Sequence, residues 1–167
     1  MRRTTVILVA LVVLLTMAVP ASAKTTRIPF SGEDHLTVDP HGGRMWISDD
    51  GVVHVRGSMS EYDARYGGEF YTGDASIVVN YNLDLNTMTG RLWGTNHIDV
   101  DGYDGGFEGR WVGWFTETGW EGRGLSHGYG DLTGYQQRYS LESATLAADG
   151  FNGDYIEGFT FMPGDKH

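Results

Sequence analysis

Apolar and polar residues alternate with a period of two over much of this chain, which is the pattern of half-buried β-strands. In residues 75–85 the odd-numbered positions are apolar, and most of the even-numbered ones are polar. In residues 107–115, Phe107, Trp111 and Phe115 share a face with Gly109 and Gly113. Trp114 is out of phase with Trp111, so the two rings are predicted to point to opposite sides of one strand.

The same pattern predicts eight to nine short strands and little helix. No twelve-residue window carries a helical apolar stripe free of glycine, and residues 141–148 are the best helical candidate. Short turn segments such as Asn86-Thr87 and Glu117-Thr118-Gly119 predict hairpins between successive strands. The strands placed from the alternation are residues 52–58, 75–85, 89–95, 107–115, 120–126, 132–141 and 155–162.

So many antiparallel strands in a small domain must bury their apolar faces and protect their edges. Closure into a barrel achieves both, and glycines that alternate with large aromatic residues suit a tapered barrel interior. We therefore predict an all-β fold, a single antiparallel β-barrel of about eight strands. A two-sheet β-sandwich is the alternative.

Composition narrows the class further. The chain has 25 glycines, 21 aromatic residues and no cysteine. Abundant aromatic residues argue against disorder, and the absence of cysteine excludes disulfides and thiol chemistry. The net charge is −10, and the arginines stand singly, so binding to nucleic acid or to an anionic membrane surface is not expected.

The first 23 residues differ from the rest of the chain. Arg2 and Arg3 precede an apolar run from Val6 to Val19, which ends in Pro20-Ala-Ser-Ala. This is the pattern of a cleaved secretory signal peptide, and the apolar run is too short to span a bilayer. We expect residues 24–167 to be one exported domain, secreted or periplasmic, and bacterial in character. Without residues 1–23 the charge is 10 Lys+Arg against 22 Asp+Glu, or −12.

Glycine-aromatic spacing carries a family resemblance. The run Gly-Arg-Gly-Leu-Ser-His-Gly-Tyr-Gly-Asp-Leu-Thr-Gly at 122–134, with Val-His-Val-Arg-Gly at 53–57, Gly-Arg-Leu-Trp-Gly at 90–94 and Phe-Glu-Gly-Arg-Trp at 107–111, resembles the allene-oxide-cyclase-like barrels. That superfamily includes the dirigent proteins and many exported bacterial proteins. The resemblance implies an eight-stranded barrel with a ligand-sized interior, and it transfers no catalytic residue.

The candidate binding residues are aromatic and polar side chains on the predicted strands. Tryptophan offers a flat apolar face with one hydrogen-bond donor, and polar groups at a barrel mouth can orient a ligand. The alternative is that the tryptophans fill the core and the polar residues form the solvent face. The predicted ligand-binding residues are Trp93, Trp111, Trp120, Arg56, Asn80 and Arg110.

These features predict a non-enzymatic barrel that binds a small apolar or amphipathic ligand, or a saccharide, without a cofactor. The six histidines lack the spacing of a zinc site, and the acidic loop at residues 99–106 fails the EF-hand pattern, so no metal site is predicted. One alternative is a barrel enzyme of cyclase or isomerase type, which requires a titratable group inside the barrel. Another is an interaction protein with a filled interior and a functional outer surface. The oligomeric state is left open.

Overall fold

Nine β-strands form the part of the chain that the computed structural model describes, which is residues 25–67, 70, 72–143 and 153–164. None of these residues forms a helix, and therefore no helix among them could cross a membrane. The predicted signal peptide and residues 144–148 of the helical candidate lie outside the described residues. The strands are β1 (Thr26–His41), β2 (Arg44–Ile47), β3 (Val52–Gly67), β4 (Thr72–Asp84), β5 (Thr89–Val100), β6 (Gly105–Thr116), β7 (Gly119–Gly130), β8 (Gln136–Ser143) and β9 (Gly153–Met162).

Eight of the strands close into an antiparallel barrel. Their order is β1-β9-β8-β7-β6-β5-β4-β3, and the ring closes because β1 pairs with β3 as well as with β9. Strand β2 lies outside the ring and pairs with the first residues of β3. The predicted all-β barrel is confirmed, and the sandwich alternative is wrong because a single sheet closes on itself.

The predicted faces are also confirmed where the alternation was clear. Val53, Val55, Ala75 and Phe107 are buried, whereas Trp114 is 42% exposed on the outer face. Most of the strands are longer than the alternation suggested, because they continue through charged or glycine positions. The strand predicted over residues 132–141 instead begins at Gln136, because residues 132–134 form a turn. Leu141 belongs to β8, so the helical candidate begins in a strand.

Strand β1 was not predicted from the sequence. Its inward positions alternate as Ile28, Phe30, Gly32, Asp34 and Leu36, so a glycine and an acid interrupt the apolar phase. A search for continuous apolar alternation does not find such a strand. One of these inward residues, Asp34, is central to the site described below.

One end of the barrel is filled by side chains from its turns, and we call it the aromatic end. The Phe70 ring lies 5.4 Å from the Tyr103 ring and 5.5 Å from the Tyr135 ring, measured between centroids. Leu132 packs into the same cluster with 1% of its surface exposed. The opposite end, where β1 leads into β2, is called the β2 end.

Inside the barrel, large residues pair with glycines on the neighbouring strands. Trp111 lies between Gly94 of β5 and Gly124 of β7, and Tyr139 lies between Gly124 and Gly158 of β9. A Cβ added at Gly94 would lie 3.0 Å from Cε2 of Trp111, and one at Gly124 would lie 2.2 Å from Cζ of Tyr139. The predicted alternation of small and large interior residues therefore lets the two rings lie against the barrel wall.

Candidate functional site

A cavity of about 570 Å³ lies within the barrel and extends to the β2 end. Its size falls within the range of small-molecule sites. Pro40, Gly42, Arg44 and Met45 line it where it reaches the surface, and all four are exposed. Most of its remaining wall is apolar or aromatic, and includes Ile77, Val79, Tyr81, Leu92, Phe115 and Trp120.

Two buried carboxyl groups face into this cavity. Asp34 of β1 and Asp154 of β9 are direct cross-strand partners, and they are only 3% and 6% exposed. Tyr62 and Tyr66 of β3 also line the cavity, and both phenols are close enough to the two acids for the carboxylate charges to raise the phenol pKa values. We call these four residues the acidic cluster. Among the described cavity residues the only cationic one is Arg44, at the surface.

Asp34 is held by its neighbour Tyr66, whose hydroxyl donates a hydrogen bond to Oδ1 of Asp34. Burial raises the pKa of Asp34 to about 6, although the Tyr66 hydrogen bond and the nearby His35 favour the ionised form. Burial and the charge of Asp34 also raise the pKa of Tyr66 well above its ordinary value. At pH 7 Asp34 is therefore mostly ionised, and Tyr66 remains a neutral donor.

Asp154 has no such partner. Its side chain makes no hydrogen bond with any residue in the described part of the chain. Burial and then repulsion from the charge on Asp34 raise the pKa of Asp154 to about 8. At pH 7 the pair therefore holds one proton, mainly on Asp154, and one negative charge.

A second polar network stiffens the wall beside the acidic cluster. Asn96 Nδ2 donates to Oγ of Ser126 at 3.1 Å, and the Tyr139 hydroxyl donates to Oδ1 of Asn96 at 3.0 Å. Burial raises the pKa of Tyr139 to about 12, so the phenol stays protonated. By contrast, Nε1 of Trp111 is buried without a hydrogen-bond partner among the described residues. Such an indole N–H is uncommon in protein interiors.

Two of the six predicted ligand-binding residues lie inside the barrel. Trp111 and Trp120 both line the cavity, and their ring centroids are 5.6 Å apart. The structure therefore brings together one aromatic pair from neighbouring strands β6 and β7. Trp111 also belongs to the buried core, so the core-packing alternative describes it as well.

The other four predicted residues lie on the outer face, away from the interior cavity. Arg56 lies between the rings of Trp46 and Trp93, with its guanidinium carbon 5.4 and 4.9 Å from their centroids. Asn80 accepts a hydrogen bond from the backbone N–H of Gly57 at 2.9 Å and donates to the carbonyl of Trp93. Arg110 lies on the outer face of β6.

Arg56 and Asn80 lie at a β-bulge centred on Gly57. The pairing of β3 with β4 shifts between Val55 and Ser58, and Gly57 adopts a φ of 70°, which is typical of a glycine β-bulge. Asn80 satisfies the backbone amide at this bulge, and Arg56 contacts Trp46 of the outer strand β2. These two polar side chains therefore stabilise the bulge and the attachment of β2.

Sequence reasoning missed Asp34 and Asp154. Asp34 lies in an unpredicted strand, and Asp154 immediately precedes the predicted strand that began at residue 155. The pattern that could have found them is an acid in phase with apolar positions, as in Asp154-Tyr-Ile156 and Asp34-His-Leu36. An acid at an inward position of a strand is costly unless a function or a partner retains it.

No group of three or more histidine and carboxylate side chains among the described residues is arranged to hold a metal ion. Comparisons with protein-family models, curated proteins and solved structures give no match to this chain. The resemblance to allene-oxide-cyclase-like barrels therefore stays a prediction.

Proposed function

We propose that this protein is an exported barrel that binds a small, mainly apolar ligand in its interior cavity, without chemical conversion. The observation that carries the proposal is the 570 Å³ cavity itself, which is large for an eight-stranded barrel that side chains could fill. Trp111 and Trp120 offer stacking surface, and the acidic cluster offers polar contacts. The ligand is therefore amphipathic.

The composition of the wall favours an amphipathic ligand over a saccharide. Ile77, Val79, Leu92 and Phe115 would contact the ligand body, and such surfaces leave sugar hydroxyls without partners. The hypothesis of an outer interaction surface required a filled interior, and this interior is not filled. Ligand binding in the cavity is the simpler account of the space.

Binding can be tested with N-phenyl-1-naphthylamine, an uncharged probe whose fluorescence rises in apolar sites. Val79→Trp adds bulk to the cavity wall, and Val78→Trp adds the same bulk to the outer face of β4. We expect saturable binding by the native barrel, a loss of at least about tenfold in affinity for Val79→Trp, and little change for Val78→Trp. Circular dichroism checks that both variants fold.

The proposal fails if the native protein shows no saturable probe binding, or if both tryptophan variants lose binding equally while remaining folded. In either case the cavity is not the binding site. Equal binding by all three proteins would place the probe on the outer surface.

The acidic cluster favours a second candidate, an isomerase that moves a proton between two carbons. At pH 7 Asp34 is a buried base and Asp154 a buried acid, so one could remove a proton while the other donates one. Incubating unsaturated ketones with the protein in D₂O tests this candidate. Deuterium incorporation that Asp34→Asn abolishes would support it, and its absence would favour simple binding.

A further inference from the structure

The interior charges define what kind of ligand the cavity accepts, an inference that rests on the proposed binding function. Asp34 and Asp154 face each other across neighbouring strands, and opposed cross-strand side chains have Cβ atoms about 5 Å apart. A compact cation between them could contact both carboxylates. A carboxylate-bearing ligand would instead be repelled.

No interior cation of the described residues neutralises this pair. The titratable groups that interact with the two acids inside the barrel are the phenols of Tyr62 and Tyr66 on β3 and of Tyr139 on β8. The other polar side chains of the interior wall carry no charge, and they include Ser60, Gln137 and Ser143. His35 acts on Asp34 from the outer side of β1, where its Nε2 lies 3.0 Å from Oε2 of Glu33. Arg44 lies at the cavity surface. The charge of the pair is therefore available to a ligand.

The two acids are not equivalent. One oxygen of Asp34 already accepts the Tyr66 hydrogen bond, whereas Asp154 is more than nine-tenths buried, lines the cavity and makes no hydrogen bond to a described residue. The carboxyl oxygens of Asp154 are not among the fully buried, unpartnered polar atoms of the described residues, so they are accessible from the cavity. Polar groups in protein interiors normally have a hydrogen-bond partner, and water or a donor group of a ligand can supply one here.

Aromatic rings in the rest of the cavity also suit a cation. Trp111, Trp120, Tyr62 and Phe115 surround the same space, and ring faces attract ammonium groups as well as apolar groups. Trp111 and Trp120 are close enough to contact one ligand together. A cavity with apolar walls and two carboxyl groups is complementary to a ligand that carries an ammonium group on an aromatic or alicyclic skeleton.

We propose that the barrel binds an amphipathic amine, whose protonated nitrogen lies between Asp34 and Asp154 while its apolar body packs against the tryptophan pair. An ammonium group carries up to three N–H donors and can reach both acids and a phenol oxygen. Binding ionises Asp154, so the complex releases a proton that the free protein holds near neutral pH.

A matched pair of compounds tests this proposal. 2-(1-Naphthyl)ethylamine and 2-(1-naphthyl)ethanol share one carbon skeleton and differ in charge, and each can be measured by displacement of N-phenyl-1-naphthylamine. We expect the amine to bind about ten- to a hundredfold more tightly than the alcohol at pH 8, as a charge-assisted hydrogen bond to a buried acid would require. The ratio of the two affinities should fall toward pH 6, because protons then compete with the amine for the carboxylates.

Asp154→Asn should remove most of the difference between amine and alcohol, whereas Glu157→Gln, on the outer face of the same strand, should leave it unchanged. Calorimetry of amine binding in two buffers of different ionisation enthalpy should show proton release near pH 7, and this release should disappear in Asp154→Asn. These readouts separate a direct contact from a general loss of structure.

The results of these experiments distinguish a failure of the amine proposal from a failure of the proposed binding function on which it rests. Equal affinity for amine and alcohol, with saturable probe binding, overturns the amine proposal and leaves the binding function intact. An amine preference that survives in both Asp154→Asn and Asp34→Asn also overturns it. Absence of all probe binding overturns both proposals.

Discussion

Replacing Asp154 with asparagine is expected to raise the melting temperature of the ligand-free barrel, and the gain at pH 9 should exceed the gain at pH 5 by about 10 °C. The folded barrel holds the Asp154 proton up to a pKa of about 8, while the unfolded chain releases it near 3.8. This raised pKa contributes stability that is complete below the unfolded pKa and is lost as the pH rises to about 8.

The size of the effect follows from the pH interval. Between pH 5 and pH 8 the native protein loses on the order of 4 kcal/mol as an upper limit, since one pKa unit corresponds to about 1.4 kcal/mol. The amide of Asp154→Asn resembles the protonated carboxyl and does not titrate, so the variant avoids this loss. It also relieves Asp34 of a neighbouring charge.

Thermal unfolding from pH 5 to pH 9, followed by circular dichroism, measures the difference. Glu157→Gln is the control, because Glu157 is exposed on the same strand and should not alter the pH dependence. If the melting temperatures of the native protein and Asp154→Asn differ by the same amount at every pH, Asp154 does not have the raised pKa that its place in the acidic cluster requires.

Gly94→Ala is expected to destabilise the barrel by about 2–3 kcal/mol through overpacking. A Cβ at this position would lie 1.8 Å from the carbonyl oxygen of Val78 and 3.0 Å from Cε2 of Trp111. The first atom belongs to the backbone of the neighbouring strand, so relief requires β4 and β5 to separate locally. Displacement of Trp111 would also narrow the cavity.

Urea unfolding compares Gly94→Ala with Gly67→Ala. At Gly67 the nearest atom to an added Cβ is the carbonyl oxygen of Ser31 at 3.6 Å, an ordinary contact, so we expect less than about 1 kcal/mol there. Equal urea midpoints for the two variants would mean that the barrel wall around Trp111 can rearrange at little cost in free energy, which would contradict the close packing at Gly94.

The predicted ligand-binding residues that lie on the outer face show why a local sequence pattern identifies only part of a site. The alternation correctly put Arg56 and Asn80 on one side of their strands and Val55 and Val79 on the other. It does not say which side encloses a cavity, and the structure places these two polar residues on the outer face of the barrel wall. In the structure they stabilise the Gly57 bulge and strand β2 instead.

For the strands with a clear alternation, the sequence alone determined which residues share a face and where glycines pair with aromatic residues, because each depends on residues within one strand or hairpin. It did not predict β1 and β2. Closure of β1 on β3, and the meeting of Asp34 with Asp154, were decided only by the tertiary structure. The two acids lie near opposite ends of the domain sequence, and no local rule relates them. Burial raises the pKa of Asp34, and burial together with the charge of Asp34 raises the pKa of Asp154. Both effects exist only once the barrel has closed.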